Sequence, residues 1–168
     1  MKVAVIAAAL SLAAFSANAD DRLARFDGGI GVIPVSNVAV AGGVVTVTPN
    51  TVRGVPPAGQ IWVIEKLDAK VTTDGRITVK GKGLVLGGGN STGRATGQSV
   101  IATLICEAAA PFVQRSTTAA GVPLADNGDF RIDDMLSSVP GECASPMLLI
   151  RNAANGGWFA AGILDSGD

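Results

Sequence analysis

Between residues 61 and 86 the chain alternates apolar and polar side chains with a period of two, a pattern that suits strands and no helix. Val63, Leu67, Ala69 and Val71 fall on one face, and Lys66, Asp68, Lys70 and Thr72 on the other. After Asp74-Gly75 the theme repeats, with Ile77, Val79 and Val85 opposite Arg76, Thr78, Lys80 and Lys82. Parity separates two hairpin registers. A two-residue Asp-Gly turn would set apolar Val71 against polar Thr78. A three-residue loop at 73–75 instead pairs Val71 with Ile77 and Asp68 with Lys80, and puts Gly75 where a left-handed backbone is needed. The three-residue register is therefore predicted. It also opposes Lys66 with Lys82 and turns Glu65 toward Gly83, which points to a bend or bulge at that end.

The rest of the chain reads as short strands with regular punctuation. Strands are expected at 30–35, 38–40, 44–48, 99–107, 112–118, 130–132, 147–152 and 158–164. Turn signals stand at Ala41-Gly42-Gly43, Pro56-Pro57, Asn127-Gly128 and Asn155-Gly156-Gly157. From Gly28 onward no run has a helical period, and the alanines at 108–110 stop at Pro111. The expected fold is all-β: a single antiparallel β-sandwich over 28–168, of which the immunoglobulin-like form is one version and a closed barrel the competitor. Residues 20–27, with Arg22 and Arg25, read as a loose N-terminal segment or a short helical turn.

Residues 1–19 read as a cleaved export signal. Lys2 supplies the basic start, 3–15 an apolar run too short to span a membrane, and Ala17-Asn18-Ala19 the small-x-small cleavage pattern. Removing 19 of the 168 residues leaves 149, a length that suits one domain, outside the cytoplasm and without a membrane anchor. In an oxidising compartment the two cysteines, Cys106 and Cys143, are expected to form one inter-strand disulfide.

Charge and composition exclude several chemistries. The formal net charge is −1 and the basic residues look scattered, so no nucleic-acid partner is expected. There is no histidine. Its absence removes the commonest general base, the Ser-His-Asp and Cys-His devices and the usual transition-metal ligand sets.

Two loops remain as candidate sites. From Gly88 the glycines fit a phosphate-loop spacing, but Arg94 and Ala95 stand where Lys and Ser/Thr are required. The loop is read either as a plain connection or as a ligand loop offering Asn90 and Arg94 to an anionic or sugar ligand. Asn90-Ser91-Thr92 also spells a glycosylation sequon. The second loop, Asp126-Asn127-Gly128-Asp129, is first of all a turn; Asp126, Asn127 and Asp129 are its candidate calcium ligands, although the spacing is not that of an EF-hand. Glu65, Glu107 and Glu142 are the acids a carboxylate-dependent hydrolase would need to bring together with the 126–134 cluster. Trp62 and Trp158 read as packing residues before sugar platforms, although the alternation turns Trp62 to the face opposite Val63 and Leu67, either exposed or covered by the segment before it.

Arg53-Gly54-Val55-Pro56-Pro57-Ala58-Gly59, then Trp62-Val63-Ile64, Cys143-Ala144-Ser145-Pro146 and Trp158-Phe159-Ala160 together resemble a group of exported bacterial β-domain proteins. The Val-Pro-Pro turn and its following strands are also similar to chordin-type CHRD domains, from which this chain departs in lacking their histidines. Neither resemblance implies catalytic residues. Both imply a small exported β-domain. The expected function is non-enzymatic binding or scaffolding, with an envelope protein or a glycan as partner and no cofactor beyond a candidate calcium. A hydrolase and a calcium-stabilised adhesion module are the alternatives.

Overall fold

The computed structural model describes residues 21–167, so the expected export signal lies outside the described residues. Among the described residues there is no helix. The strands are β1 (Arg22–Gly31), β2 (Val35–Ala41), β3 (Val44–Pro49), β4 (Trp62–Val63), β5 (Lys66–Thr72), β6 (Arg76–Lys82) and β7 (Val85–Leu86), then β8 (Ser99–Ile105), β9 (Arg115–Ser116), β10 (Val122–Pro123), β11 (Phe130–Met135), β12 (Met147–Asn152) and β13 (Trp158–Leu164). One antiparallel sheet runs β10-β8-β12-β13-β1-β5-β6-β11, with β9 added on β8.

This sheet curls until its ends meet. Ser137 N–H donates to Ser116 O (2.8 Å), Ser116 N–H to Ser137 Oγ (3.2 Å) and Thr118 N–H to Asp134 Oδ2 (2.8 Å). Side chains and single bonds make this seam, so the half-barrel stays open and its opposite walls act as the two layers of a sandwich. Leu104, Leu148 and Ile150 from one wall join Ile77, Val79 and Ile132 from the other in a single buried cluster. Each such side chain contributes about 1.5–3 kcal/mol by leaving water.

The β5–β6 hairpin has the three-residue register. Val71 opposes Ile77, Asp68 opposes Lys80 and Lys66 opposes Lys82, with Gly75 at φ +88°. Beyond Lys82 the ladder gives way to a single bond from Glu65 N–H to Lys82 O (3.0 Å), and Glu65 packs on Gly83.

Residues 22–27 are not a loose lead-in: they belong to β1, which lies between β13 and β5. Ala24 and Phe26 are buried while Arg25 and Asp27 are exposed. The alternation is too short to be read alone, and it is broken at Gly28 (φ +93°), next to a bulge against β13. The strand expected at 30–35 divides, β1 ending at Gly31 and β2 starting at Val35. A side chain at Gly31 would collide with the Trp62 backbone, so the chain passes there only as glycine. Of the strand expected at 112–118, only Arg115–Ser116 is paired.

β2 and β3 form a separate two-stranded arm, exposed throughout and turned by Gly42 and Gly43 at φ +58° and +78°. Its register puts Val38, Val47, Val40 and Val45 on one face, and Asn37, Thr48, Ala39 and Thr46 on the other.

The sequence blocks at 53–59, 143–146 and 158–160 meet in space. Arg53, at φ +46°, donates to Ile105 O (3.1 Å), Ser145 O (2.6 Å) and Ser145 Oγ (2.7 Å). Ser145 N–H donates to Cys106 O (3.0 Å), and the Cys106–Cys143 disulfide closes beside it with a Cα–Cα distance of 4.4 Å. The bridge therefore staples neighbouring strands β8 and β12 where both reach the same end of the sheet. It suits an oxidising compartment. Ala58 N–H donates to Trp158 O and Trp158 N–H to Pro56 O, both at 3.0 Å. Trp62 is buried and stacks on Phe159, with ring centroids 4.0 Å apart. Both tryptophans thus serve packing.

Candidate functional site: a polar cleft between two loops

The glycine-rich segment after β7 is a tied excursion rather than a slack linker. Leu86 and Arg94 are bridged by Leu86 N–H to Arg94 O (3.1 Å), and Gly93 N–H returns to Leu86 O (2.8 Å). The Thr92 hydroxyl donates to Gly89 O (2.6 Å) and Arg94 N–H to Ser91 O (3.1 Å). Ala95 is fully buried and fixes the loop to the core. Its N–H donates to Asp126 O (3.3 Å), joining this loop to the second. Thr96 follows at φ +54°, a left-handed conformation that a β-branched residue adopts only under constraint.

The second loop is shaped by its own acids. Asp129 N–H donates to Asn127 Oδ1 (3.1 Å), and Asp129 Oδ1 accepts from Gly83 N–H (3.2 Å). Gly128, at φ +81°, lies so close to the Leu84 backbone that no side chain fits.

Between the two loops opens a cleft of about 510 Å³ lined by Ser91, Arg94, Thr96 and Asp126. Two of the residues expected from sequence, Arg94 and Asp126, are therefore brought together. Asn90 is exposed in the same loop but does not line the cleft. Asn127 and Asp129 each use one side-chain oxygen to hold the turn. Among the described residues no three His, Cys, Asp or Glu side chains gather as a metal set. Ser91 and Thr96 were missed by sequence reasoning; their only signal was position, three before and two after Arg94.

The four lining side chains keep their hydrogen-bonding capacity. Among the described residues Arg94 and Asp126 have no ion-pair partner, whereas Arg76 pairs with Asp133 (2.8 Å) and Arg115 with Glu107 (3.0 Å). Gly89-Asn90-Ser91-Thr92-Gly93 has the letters of a serine-hydrolase elbow, but no helix follows it and the chain has no histidine to activate Ser91.

The other acids serve separate contacts. Glu107 is held below the ordinary carboxylate range, first by the Val113 amide and then by Arg115. Asp134 is lowered chiefly by the Thr118 amide. Neither lines the cleft, and Glu65 and Glu142 do not line it either. It holds one carboxylate.

The basic residues, read from the sequence as scattered, are gathered by the sheet. Arg25, Lys70, Lys80 and Arg131 stand together on the outer face of β1, β5, β6 and β11. A partial signal existed, because Lys66, Lys70, Lys80 and Lys82 share one face of the predicted hairpin. Comparison with protein-family models, curated proteins and solved structures returns no match.

Proposed function

We propose that this protein is an exported, non-enzymatic binding domain of the cell envelope or medium, whose loop cleft takes a small hydroxylated ligand such as a glycan fragment. The reading is carried by one observation. Two loops distant in sequence are joined by a backbone bond and present a guanidinium, a carboxylate and two hydroxyls to the same space. Paired donors and acceptors on a rigid scaffold are what sugar hydroxyls require. The disulfide supports an oxidising location.

A thermal-shift panel of neutral and acidic oligosaccharides and cell-wall fragments, with and without calcium, tests the reading. A ligand at 100 times its Kd adds about 2.7 kcal/mol, a midpoint rise of roughly 5–10 °C at this size. Arg94→Ala and Asp126→Ala should each abolish that rise while leaving the ligand-free midpoint within about 2 °C. A rise that survives both substitutions places the ligand elsewhere and overturns the proposal. A midpoint that responds to calcium and chelator alone favours the adhesion-module alternative.

A further inference from the structure

The outer face of β1, β5, β6 and β11 is a trough of positive charge on a chain whose formal net charge is −1. Its first part, about 500 Å³, is walled by Arg22, Arg25, Lys70, Lys80 and Arg131, with Asp68 as the one carboxylate and Thr78 as the one hydroxyl. A second depression of about 260 Å³ shares Lys80 and Asp68 and adds Lys66 and Lys82, so the two run on as one.

Strand register sets the spacing. Arg25 opposes Lys70, Lys80 opposes Arg131 and Lys66 opposes Lys82. Neighbouring strands are about 4.8 Å apart and same-face residues about 6.7 Å apart along a strand, so the backbone positions that carry successive cations lie roughly 5–8 Å from one another. Like charges placed directly opposite each other destabilise a sheet. Three such pairs stand on this one face. Acids reach it only in part: Asp68 stands opposite Lys80 and Asp27 opposite Asp68, Arg25 meets Asp68 at 3.9 Å and Asp165 at 3.4 Å, Asp133 is taken by Arg76, and Arg22 and Lys70 have contacts of their own. A bound polyanion would relieve the repulsion that remains.

We infer that this face binds a linear acidic polysaccharide, its carboxylate or sulfate groups meeting the paired cations and its hydroxyls meeting Asp68 and Thr78. The lining contains no aromatic or aliphatic side chain, so it offers a nucleic acid no stacking platform and a membrane no apolar wedge. Asp68, set among the cations, accepts from a sugar hydroxyl and repels a surface that carries only anions. The face is separate from the loop cleft and does not depend on the proposal made for it.

The test is titration of the oxidised protein with polygalacturonate and heparin, against neutral dextran, at 25–300 mM salt. Both acidic polymers should bind, dextran should not, and affinity should fall steeply as salt rises. Lys80→Gln/Arg131→Gln removes one opposed pair. It should weaken binding at least tenfold while the melting midpoint stays the same or rises, and Arg94→Gln in the loop cleft should leave polymer binding unchanged. Absence of binding at 25 mM salt, equal binding of dextran, or full binding by the double variant each overturns the inference. Equal affinity for single-stranded DNA or anionic vesicles of matched charge overturns the ligand class, because it shows a general anion sink.

Discussion

Removing the Cys106–Cys143 bridge isolates how much of this fold rests on a constraint of the unfolded chain. The bridge closes a 37-residue segment that carries β9, β10 and β11. Loop-closure entropy for that length is worth about 4 kcal/mol at 25 °C. For a domain of this size that corresponds to a fall of roughly 10–15 °C in the melting midpoint. Cys106→Ala/Cys143→Ala and chemical reduction of the unsubstituted protein should agree, because the mechanism lies in the unfolded ensemble and not in the buried sulfur. Calorimetry on both forms measures the shift. The Arg53 clasp gives an independent check, since it ties the same two strand ends by contacts of the folded state alone. Arg53→Met should cost about 1.5–3 kcal/mol through the carbonyls it leaves unpaired. Neighbouring sites ordinarily couple, but a bridge that acts only on the unfolded chain leaves that cost the same with and without it, within about 0.5 kcal/mol. A midpoint fall under about 3 °C, or strong coupling between the two perturbations, would refute the entropic account and place the bridge's effect in native contacts.

Gly128→Ala forces a β-carbon onto the Leu84 backbone from a residue at φ +81°, and should lower stability by about 2–3 kcal/mol or more. Gly88→Ala, which meets nothing, should be close to neutral in the same denaturant titration. Glu107 and Asp134 are both held below their ordinary values of 4.5 and 3.8, so the unfolded chain takes up protons first. The stability they contribute is present above those values and is lost as pH falls through and below them. Melting curves should therefore be flat from pH 7 to about 5 and fall below that, and Glu107→Gln should be less stable at pH 7 but match the unsubstituted protein near pH 2. In the exposed arm, Val40→Thr/Val45→Thr should move the midpoint by less than about 2 °C, whereas Val32→Thr in the core should cost several degrees.

Period-two patterning, a turn glycine and face parity were enough to place Val71 opposite Ile77 from the letters alone, because a hairpin's partners are neighbours in the chain and its loop length sets the pairing. All-β class, the disulfide and the packing role of Trp158 were legible for similar reasons of composition and spacing, whereas the alternation set Val63 with buried Leu67 and the structure exposes Val63 and buries Trp62 against Phe159. Tertiary structure alone decided what lies beside each hairpin. Arg22–Gly31 is a central strand only because β5 and β13 flank it; two buried residues between charges announce nothing by themselves. The loop cleft depends on Ala95 reaching Asp126, some thirty residues further along the sequence, a contact that no local pattern sets. The charged face follows the same logic. Four of its cations could be aligned from the hairpin, but Arg25 and Arg131 join them only when non-adjacent strands pair, and such pairings are chosen by which apolar faces can be buried together, a property of the whole core and of no single segment.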